Sequence, residues 1–404
     1  MNFRTIRYAT CGLVLAGLFS HSQAATFVKG PFLHSVTKTS ITISWETDIP
    51  TRGRIDYGTS ADYGSEASSP ANKNHHEVTL AKLRAGTVYH YKVTAGDAVS
   101  DDASFRTAVK PGAAFKFTVY GDTQALNTYH KKVVAMSHRL KPDFFIVLGD
   151  LVGRGDDETL WQRWFDAEQV QLRSTPFFPI KGNHDGTGEV LQRYFPMMRK
   201  WFNYSFQYGN AHFVNVTVHR RGITDETLND KLRNQTEAWL EADLAAAKAN
   251  PGIDWIFVMR HQPYMTSSAF VDWPKAFDRH GVDFILAGDK HYYLRSVPIR
   301  DGKPDPDGTV CITSGTASKH ADLKVTDETF FKTNIDLNNG KPAADRTFYH
   351  CCFFEVDGKE VRFRDYDSES GKVYDRFRMV KGSDGKVIVR ENSVVRPRAA
   401  EVAK

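Results

Sequence analysis

At 404 residues the chain exceeds what one hydrophobic core usually supports, so two domains are expected. Charged residues are 25% and hydrophobic residues 41% of the total, which excludes wholesale disorder, and the only long apolar run is N-terminal, which excludes a polytopic membrane protein. The formal charge of +5 is concentrated at the C-terminal end, where Arg376 to Lys404 carries 8 Lys/Arg against 3 Asp/Glu; no nucleic-acid-binding face is evident.

Residues 1–24 read as a secretory signal. Arg4 and Arg7 form a positive n-region, Ala9 to Phe19 a short apolar run, and Ser22-Gln23-Ala24 supplies small residues at −3 and −1. A secreted or periplasmic protein is therefore expected. Removal of the signal takes Cys11 with it and leaves Cys311, Cys351 and Cys352, an odd number, so one disulfide or none is expected. Adjacent strand residues point to opposite faces, so at most one of Cys351 and Cys352 can meet Cys311.

Residues 25–108 have the short alternating rhythm of an all-β domain. Ile41, Ile43 and Trp45 alternate with Thr42, Ser44 and Glu46, and Tyr89, Tyr91 and Val93 alternate with His90 and Lys92. Leu83 to Tyr89 has the pattern of a tyrosine corner, in which a Tyr hydroxyl ties a loop back to its own backbone. A small sandwich resembling a fibronectin type III module is expected, with Trp45 in its core. His75 and His76 are expected in a solvated loop.

A linker over residues 108–114 contains Pro111-Gly112, and beyond it the rhythm becomes strand, helix, strand. Strands are predicted at Phe115–Tyr120, Asp143–Leu148, Phe177–Ile180, Asp254–Met259 and Val282–Leu286. Helices are predicted at Thr128–Leu140, Glu158–Val170 and Leu228–Lys248, and a hairpin at Phe206–Phe213. Residues 377–404 are expected to be a solvated basic tail, available for weak contact with an anionic membrane surface.

Each predicted strand ends in a polar cluster: Gly121-Asp122-Thr123-Gln124, Gly149-Asp150 through Arg154-Gly155, Gly182-Asn183-His184-Asp185, Arg260-His261 and Gly288-Asp289-Lys290-His291. Open α/β sheets gather their sites outside the carboxyl ends of their strands, so carboxylate, amide and imidazole groups converge there and a metal centre is expected. Glycines before Asp122, Asp150 and Asn183 are expected to supply turn freedom beside the metals. The intervals of 28 residues from Asp122 to Asp150 (150 − 122) and 33 from Asp150 to Asn183 (183 − 150) each suit one strand–helix–strand unit.

In these motifs the sequence resembles the calcineurin-like metallophosphoesterases, and within them the purple acid phosphatase branch. Gln235, Trp239-Leu240, Tyr293 and Arg295 extend the likeness. The resemblance implies an N-terminal fibronectin III-like sandwich plus an α/β metallophosphoesterase domain at 113–376, a β-sandwich core flanked by helices. It implies hydrolysis of phosphate esters by a hydroxide bridging two divalent or trivalent metal ions drawn from Fe, Zn, Mn or Ca. Asp122 and His291 would hold the first metal, Asp150 would bridge, and Asn183 and His261 would hold the second. His184 would steady the phosphoryl oxygens or protonate the leaving group, and Arg154 would grip phosphate.

Three positions depart from that pattern. Gly153 stands where purple acid phosphatases have the Tyr whose bond to Fe(III) gives the colour, so a purple protein is not expected. Gln124 stands where other metallophosphoesterases have a His. Asp289 stands where an imidazole is usual; as a ligand it lowers the charge of the centre by one, favouring harder metals and weakening capture of dianionic monoesters. The competing reading is a catalytically silent relative acting as a surface or binding protein.

Overall fold

The computed structural model describes residues 24–199, 201–217, 226–264, 275–319, 331–334, 349–383 and 387–390. The expected signal up to residue 23, with Cys11, lies outside the described residues, as do residues 391–404.

In the N-terminal domain, strands Phe27–His34, Ser40–Gly58, Ser65–Ala81, Val88–Ala95 and Ala103–Arg106 pair antiparallel. Their alternation buries Ile41, Ile43, Trp45, Tyr91 and Val93 on the inner face. The tyrosine corner is present: the Arg84 backbone N–H donates to the Tyr89 hydroxyl at 3.0 Å. His75 and His76 depart from expectation, since both lie within the strand Ser65–Ala81 and not in a solvated loop. His76 is buried against Trp45, with ring centroids 4.8 Å apart and planes 7° from parallel, and its nitrogens reach the Ser69 hydroxyl at 2.8 Å and the Lys73 carbonyl at 2.8 Å. Trp45 leaves a stacking surface there, and burying the ring on it removes apolar area from water.

The residues expected to be a linker are only partly one. Ala108 and Val109 are buried, and the Ala108 N–H donates to the Thr37 carbonyl at 3.0 Å; the exposed turn is confined to Pro111–Ala114. The two domains also share a sheet, because His34 pairs in parallel with Phe177 across the boundary.

In the second domain the strands Phe115–Tyr120, Phe144–Val147 and Phe177–Pro179 run parallel in that shared sheet. Ala211–Asn215, Trp255–Arg260, Phe284–Ala287 and Val310–Ser314 run parallel in a second sheet. The sheets meet through phenylalanine rings: Phe117 stands edge-on to Phe213 at 5.2 Å and to Phe257 at 5.4 Å. Helices Thr128–Arg139 and Glu158–Leu172 pack on the first sheet; Glu226–Ala249 and Lys275–His280 lie by the second, where Leu240, Leu244 and Phe277 join its core. Asn127 caps the first of these helices, accepting from the N–H groups of Tyr129 and His130 at 3.1 Å each, and Asp157 caps the second.

The expected tail begins later than residue 377. Val373–Lys381 and Val387–Arg390 are strands that extend the edge of the shared sheet, where Phe377 and Met379 alternate inward into the core. Among the described residues no helix is long and apolar enough to cross a membrane. Cys311, Cys351 and Cys352 are buried free thiols, consistent with the expectation of one disulfide or none.

Candidate metal centre

The parallel strands of both sheets present their carboxyl ends on one side, and there Asp122, Asp150 and His261 converge. Their ligand atoms lie within 4.8 Å of one another, and all three side chains are buried. Asp150 Oδ1 lies 3.3 Å from His261 Nε2, Asn183 Oδ1 3.1 Å from the same nitrogen, and Asp289 Oδ1 3.6 Å from it. His291 Nδ1 lies 3.5 Å from Asp122 Oδ1 and 3.2 Å from the Gly315 carbonyl. Six residues expected as metal ligands are thus brought into one cluster.

The turns that deliver them are strained at the aspartates. Asp122, Asp150 and Asp289 have φ of 64°, 52° and 62°, a region non-glycine residues rarely occupy. The glycines serve mainly another purpose than turn freedom. A side chain at Gly149 would collide with the His261 ring, and one at Gly182 with the Asp150 backbone, so both permit close approach; of the three glycines preceding Asp122, Asp150 and Asn183, only Gly149 has positive φ, 90°.

Histidine tautomers follow from carbonyls that can only accept. His261 Nδ1 lies 2.7 Å from the Leu148 carbonyl, so Nδ1 carries hydrogen and Nε2 faces the carboxylates. His184 Nδ1 lies 3.0 Å from the Gly153 carbonyl, which in the same way frees its Nε2.

Electrostatics mark the cluster as one that wants a cation. Burial, reinforced by the charges of Asp150 and Asp289, pushes the Asp122 carboxyl well above the usual range. His261 is pushed up to about 9: burial acts to lower it, but the hydrogen bond to Asp150 and the charges of Asp122 and Asp150 outweigh that. In His291 burial dominates, with Lys319 adding to it, and the ring is held below its ordinary value.

The donor set fits metal ions. Among the described residues Asp122 Oδ1 and both amide atoms of Gln124 are buried without a hydrogen-bond partner, and an orphaned buried polar atom costs on the order of 1–3 kcal/mol unless something meets it. Carboxylate oxygens, an amide oxygen and imidazole nitrogens suit Mn, Fe or Zn. The extra carboxylate of Asp289 is offset locally, because Lys290 Nζ lies 3.0 Å from Asp289 Oδ2.

Arg154 is placed differently from expectation. Its side chain is 69% exposed and engaged by Asp157 Oδ2 at 2.5 Å and Asp156 Oδ1 at 3.3 Å. Two carboxylates at the start of the Glu158–Leu172 helix capture the guanidinium that the motif assigned to phosphate. His212 is bonded to Asp243 at 2.6 Å, and His350 lies in the core. His219 and His320 lie outside the described residues.

Asp185 was missed. Its carboxylate accepts from the N–H groups of Gly182 at 2.7 Å, Leu151 at 2.9 Å, Asp150 at 3.1 Å and Val152 at 3.3 Å, fixing the second and third turns to each other. Burial, with the charge of Asp150, raises it to about 6. Its position directly after Asn183-His184 was the available signal. Ser318, also missed, donates to the Asp122 carbonyl at 2.5 Å and accepts from the Ala125 N–H at 3.0 Å.

Family comparison matches the purple acid phosphatase N-terminal domain at residues 32–107 and the calcineurin-like phosphoesterase at residues 115–293. The chain joins a purple acid phosphatase N-terminal domain to a calcineurin-like phosphoesterase domain. An uncharacterized protein of Mycobacterium tuberculosis is 26% identical over 322 residues, 65% of this chain; the match spans only 60% of that relative's length. Purple acid phosphatase 22 of Arabidopsis thaliana is 24% identical over 327 residues, 73% of this chain and 70% of the relative. A purple acid phosphatase from yellow lupin (Lupinus luteus) seeds shares the fold, with TM-score 0.73 at 15% identity over 90% of this chain and 75% of that one. The phosphoesterase domain therefore contains the whole cluster from Asp122 to His291.

Proposed function

We propose that the chain is an exported, metal-dependent phosphoesterase, secreted or periplasmic, that hydrolyses small phosphate esters at a two-metal centre. The observation that carries this reading is the buried Asp122, Asp150 and His261 cluster, with an orphaned carboxylate oxygen, at the carboxyl ends of the strands. Export is supported by the n-region, apolar run and small-residue site of residues 1–24.

Asp122 and His291 would hold one cation, Asn183 and His261 the other, and Asp150 both, with Asp289 completing the set. Cations bound there would activate water and neutralise phosphoryl oxygens during in-line displacement. The chain's own groups then act as follows. His184, anchored through Nδ1–H, would offer Nε2 to the substrate and, as an imidazolium, donate a proton to the leaving oxygen or a hydrogen bond to the phosphoryl group. Asp185 holds the backbone of Asp150 in place, and the Leu148 carbonyl sets the His261 tautomer, as outer partners of metal ligands do. Lys290, exposed beside Asp289, adds positive charge at the rim of the site. Arg154 has no part in this reading.

The test is hydrolysis of an aryl phosphate by protein loaded with Mn, Zn, Fe or Ca. Turnover with at least one metal is expected. His184→Ala should keep its metal and lose roughly 10²–10⁴ in rate. A folded, metal-loaded protein without turnover toward any phosphate ester would favour the silent reading.

A further inference from the structure

A second group of ligand-type side chains lies apart from the cluster just described. His350 and Cys352 are two residues apart on one face of the strand His350–Asp357, and Asp365 stands directly opposite Cys352 on the neighbouring strand Glu360–Asp367. The hairpin register therefore points an imidazole, a thiol and a carboxylate into one space. All three are buried, with ligand atoms within 4.8 Å of one another.

Their separations are informative. Cys352 Sγ lies 3.8 Å from His350 Nδ1 and 3.6 Å from Asp365 Oδ1, and Nδ1 lies 2.6 Å from Oδ1. Tetrahedral zinc bonds of about 2.3 Å to sulfur and about 2.0–2.1 Å to nitrogen or oxygen place ligand atoms about 3.3–3.6 Å apart. The two edges to sulfur already match within a few tenths of an ångström. Only the nitrogen–oxygen edge must open, by about 0.7 Å. Asp365 also has a buried oxygen, Oδ2, that makes no hydrogen bond among the described residues.

We propose that His350, Cys352 and Asp365 form a separate site for one divalent transition metal of the zinc type. Thiolate, carboxylate and a 2+ ion sum to zero, so the loaded site is neutral beside the already balanced pair of Arg295 and Asp375. Binding through Nδ1 displaces the proton held between His350 and Asp365, and binding through sulfur displaces the Cys352 thiol proton; two protons leave for solvent as the metal enters. His350 Nε2 keeps its hydrogen throughout, directed toward the Ser314 hydroxyl 3.4 Å away, a partner that fixes the ligating tautomer. Ser314 ends the strand Val310–Ser314, and Gly315 beside it bonds His291, so the metal would brace the hairpin against the wall of the phosphoesterase site. Because the cluster is buried, loading would accompany folding.

The experiment is to produce the full chain with Co(II) in the growth medium and record its near-ultraviolet spectrum and metal content. No described residue proposed for the two-metal centre carries sulfur, so a thiolate-to-Co(II) charge-transfer band reads this site whether or not the protein hydrolyses phosphate esters. Wild type is expected to show the band. Cys352→Ser should lose it together with one metal equivalent, and Cys351→Ser, altered on the opposite face of the strand, should keep it. Asp365→Asn serves as the second variant if Cys352→Ser does not fold, and should weaken the band. A folded Co(II)-grown wild type without the band, or a band unchanged in Cys352→Ser, would overturn the proposal.

Discussion

Two buried groups of ionisable side chains flank the end of the strand Phe115–Tyr120, and they are finished differently. Glu168 accepts from the Tyr120 hydroxyl at 3.1 and 2.9 Å through its two oxygens, and His130 Nε2 lies 2.8 Å from one of them. Two residues beyond Tyr120, Asp122 has an oxygen with no hydrogen-bond partner among the described residues, a φ of 64° and two more carboxylates crowding it. Glu168, His130 and Asp122 are all fully buried. The carboxylate of the first group is satisfied by its own neighbours and ties a helix to the sheet, although His130 Nδ1 has no hydrogen-bond partner among the described residues; the carboxylates of the second are completed only with charge from outside. An incomplete, strained, buried cluster is what binding requires, because a satisfied one has no free valence to offer.

The sharpest way to break this comparison is Asp150→Ala. Removing the proposed bridge should release both metals and cost about 10³-fold or more in turnover, equivalent to several kcal/mol of lost transition-state stabilisation. Full metal content with near-normal activity would show that the cluster is no more functional than its neighbour. Glu168→Ala is the converse. It should lower stability by about 3–5 kcal/mol in urea unfolding, because it leaves His130 and Tyr120 buried without their partner, while the metal content of folded protein stays at the wild-type level.

Asp185→Asn probes the support beneath the cluster. An amide cannot accept from all four N–H groups, so Asp150 should lose its fixed position, metal affinity or activity should fall about 10–100-fold, and stability should drop by about 1–3 kcal/mol from the N–H groups left unpaired. A loss matching that of Asp150→Ala would make Asp185 itself a ligand.

His34 offers a third kind of finish, a ring kept neutral by burial and hydrogen-bonded to hydroxyls. Its nitrogens lie 2.9 Å from Ser44 Oγ and 3.1 Å from Ser35 Oγ, and burial, with His75 and Arg199 nearby, pushes it down to about 3. The unfolded chain takes up a proton near pH 6.5 and the native ring does not. Its contribution to stability is therefore complete above pH 6.5 and is lost as pH falls toward 3, by about 1.4 kcal/mol per pH unit. His34→Gln should flatten that part of the stability–pH curve; an unchanged slope would assign the acid sensitivity elsewhere. The smallest effect is expected for Arg154→Ala. With the guanidinium held by Asp156 and Asp157, turnover should change by less than about threefold, and a loss above tenfold would return Arg154 to the phosphate.

Much of this was legible in the chain. Hydrophobic runs bounded by polar turns located Phe115–Tyr120 to the residue, and the helices Thr128–Arg139 and Glu158–Leu172 to within two residues at either end, because burial on a sheet or one helix face leaves a period in sequence. The ligand-type residues were legible too, since each lies within four residues of a strand end. Direction was not. Nothing local said that Asp185 would gather four N–H groups or that His76 would lie on Trp45; Arg154, whose partners Asp156 and Asp157 follow within three residues, is the exception, a local pairing that the motif reading passed over.

The sequence by itself therefore determined the two-domain order, the strand-end motifs and the candidate ligands, all features set by periodicity and by residue chemistry within a few positions. Only the tertiary structure decided how those parts meet. It joined His34 to Phe177 in one continuous sheet, and it carried the strand Val373–Lys381 and its neighbour Val387–Arg390 past residue 377, where a tail was expected to begin. Through the register of Cys352 opposite Asp365 it also brought a thiol, an imidazole and a carboxylate together. The physical reason is range: turn and strand propensities act over a few residues, whereas pairing register and the competition of charged groups for partners are fixed between residues far apart in the chain.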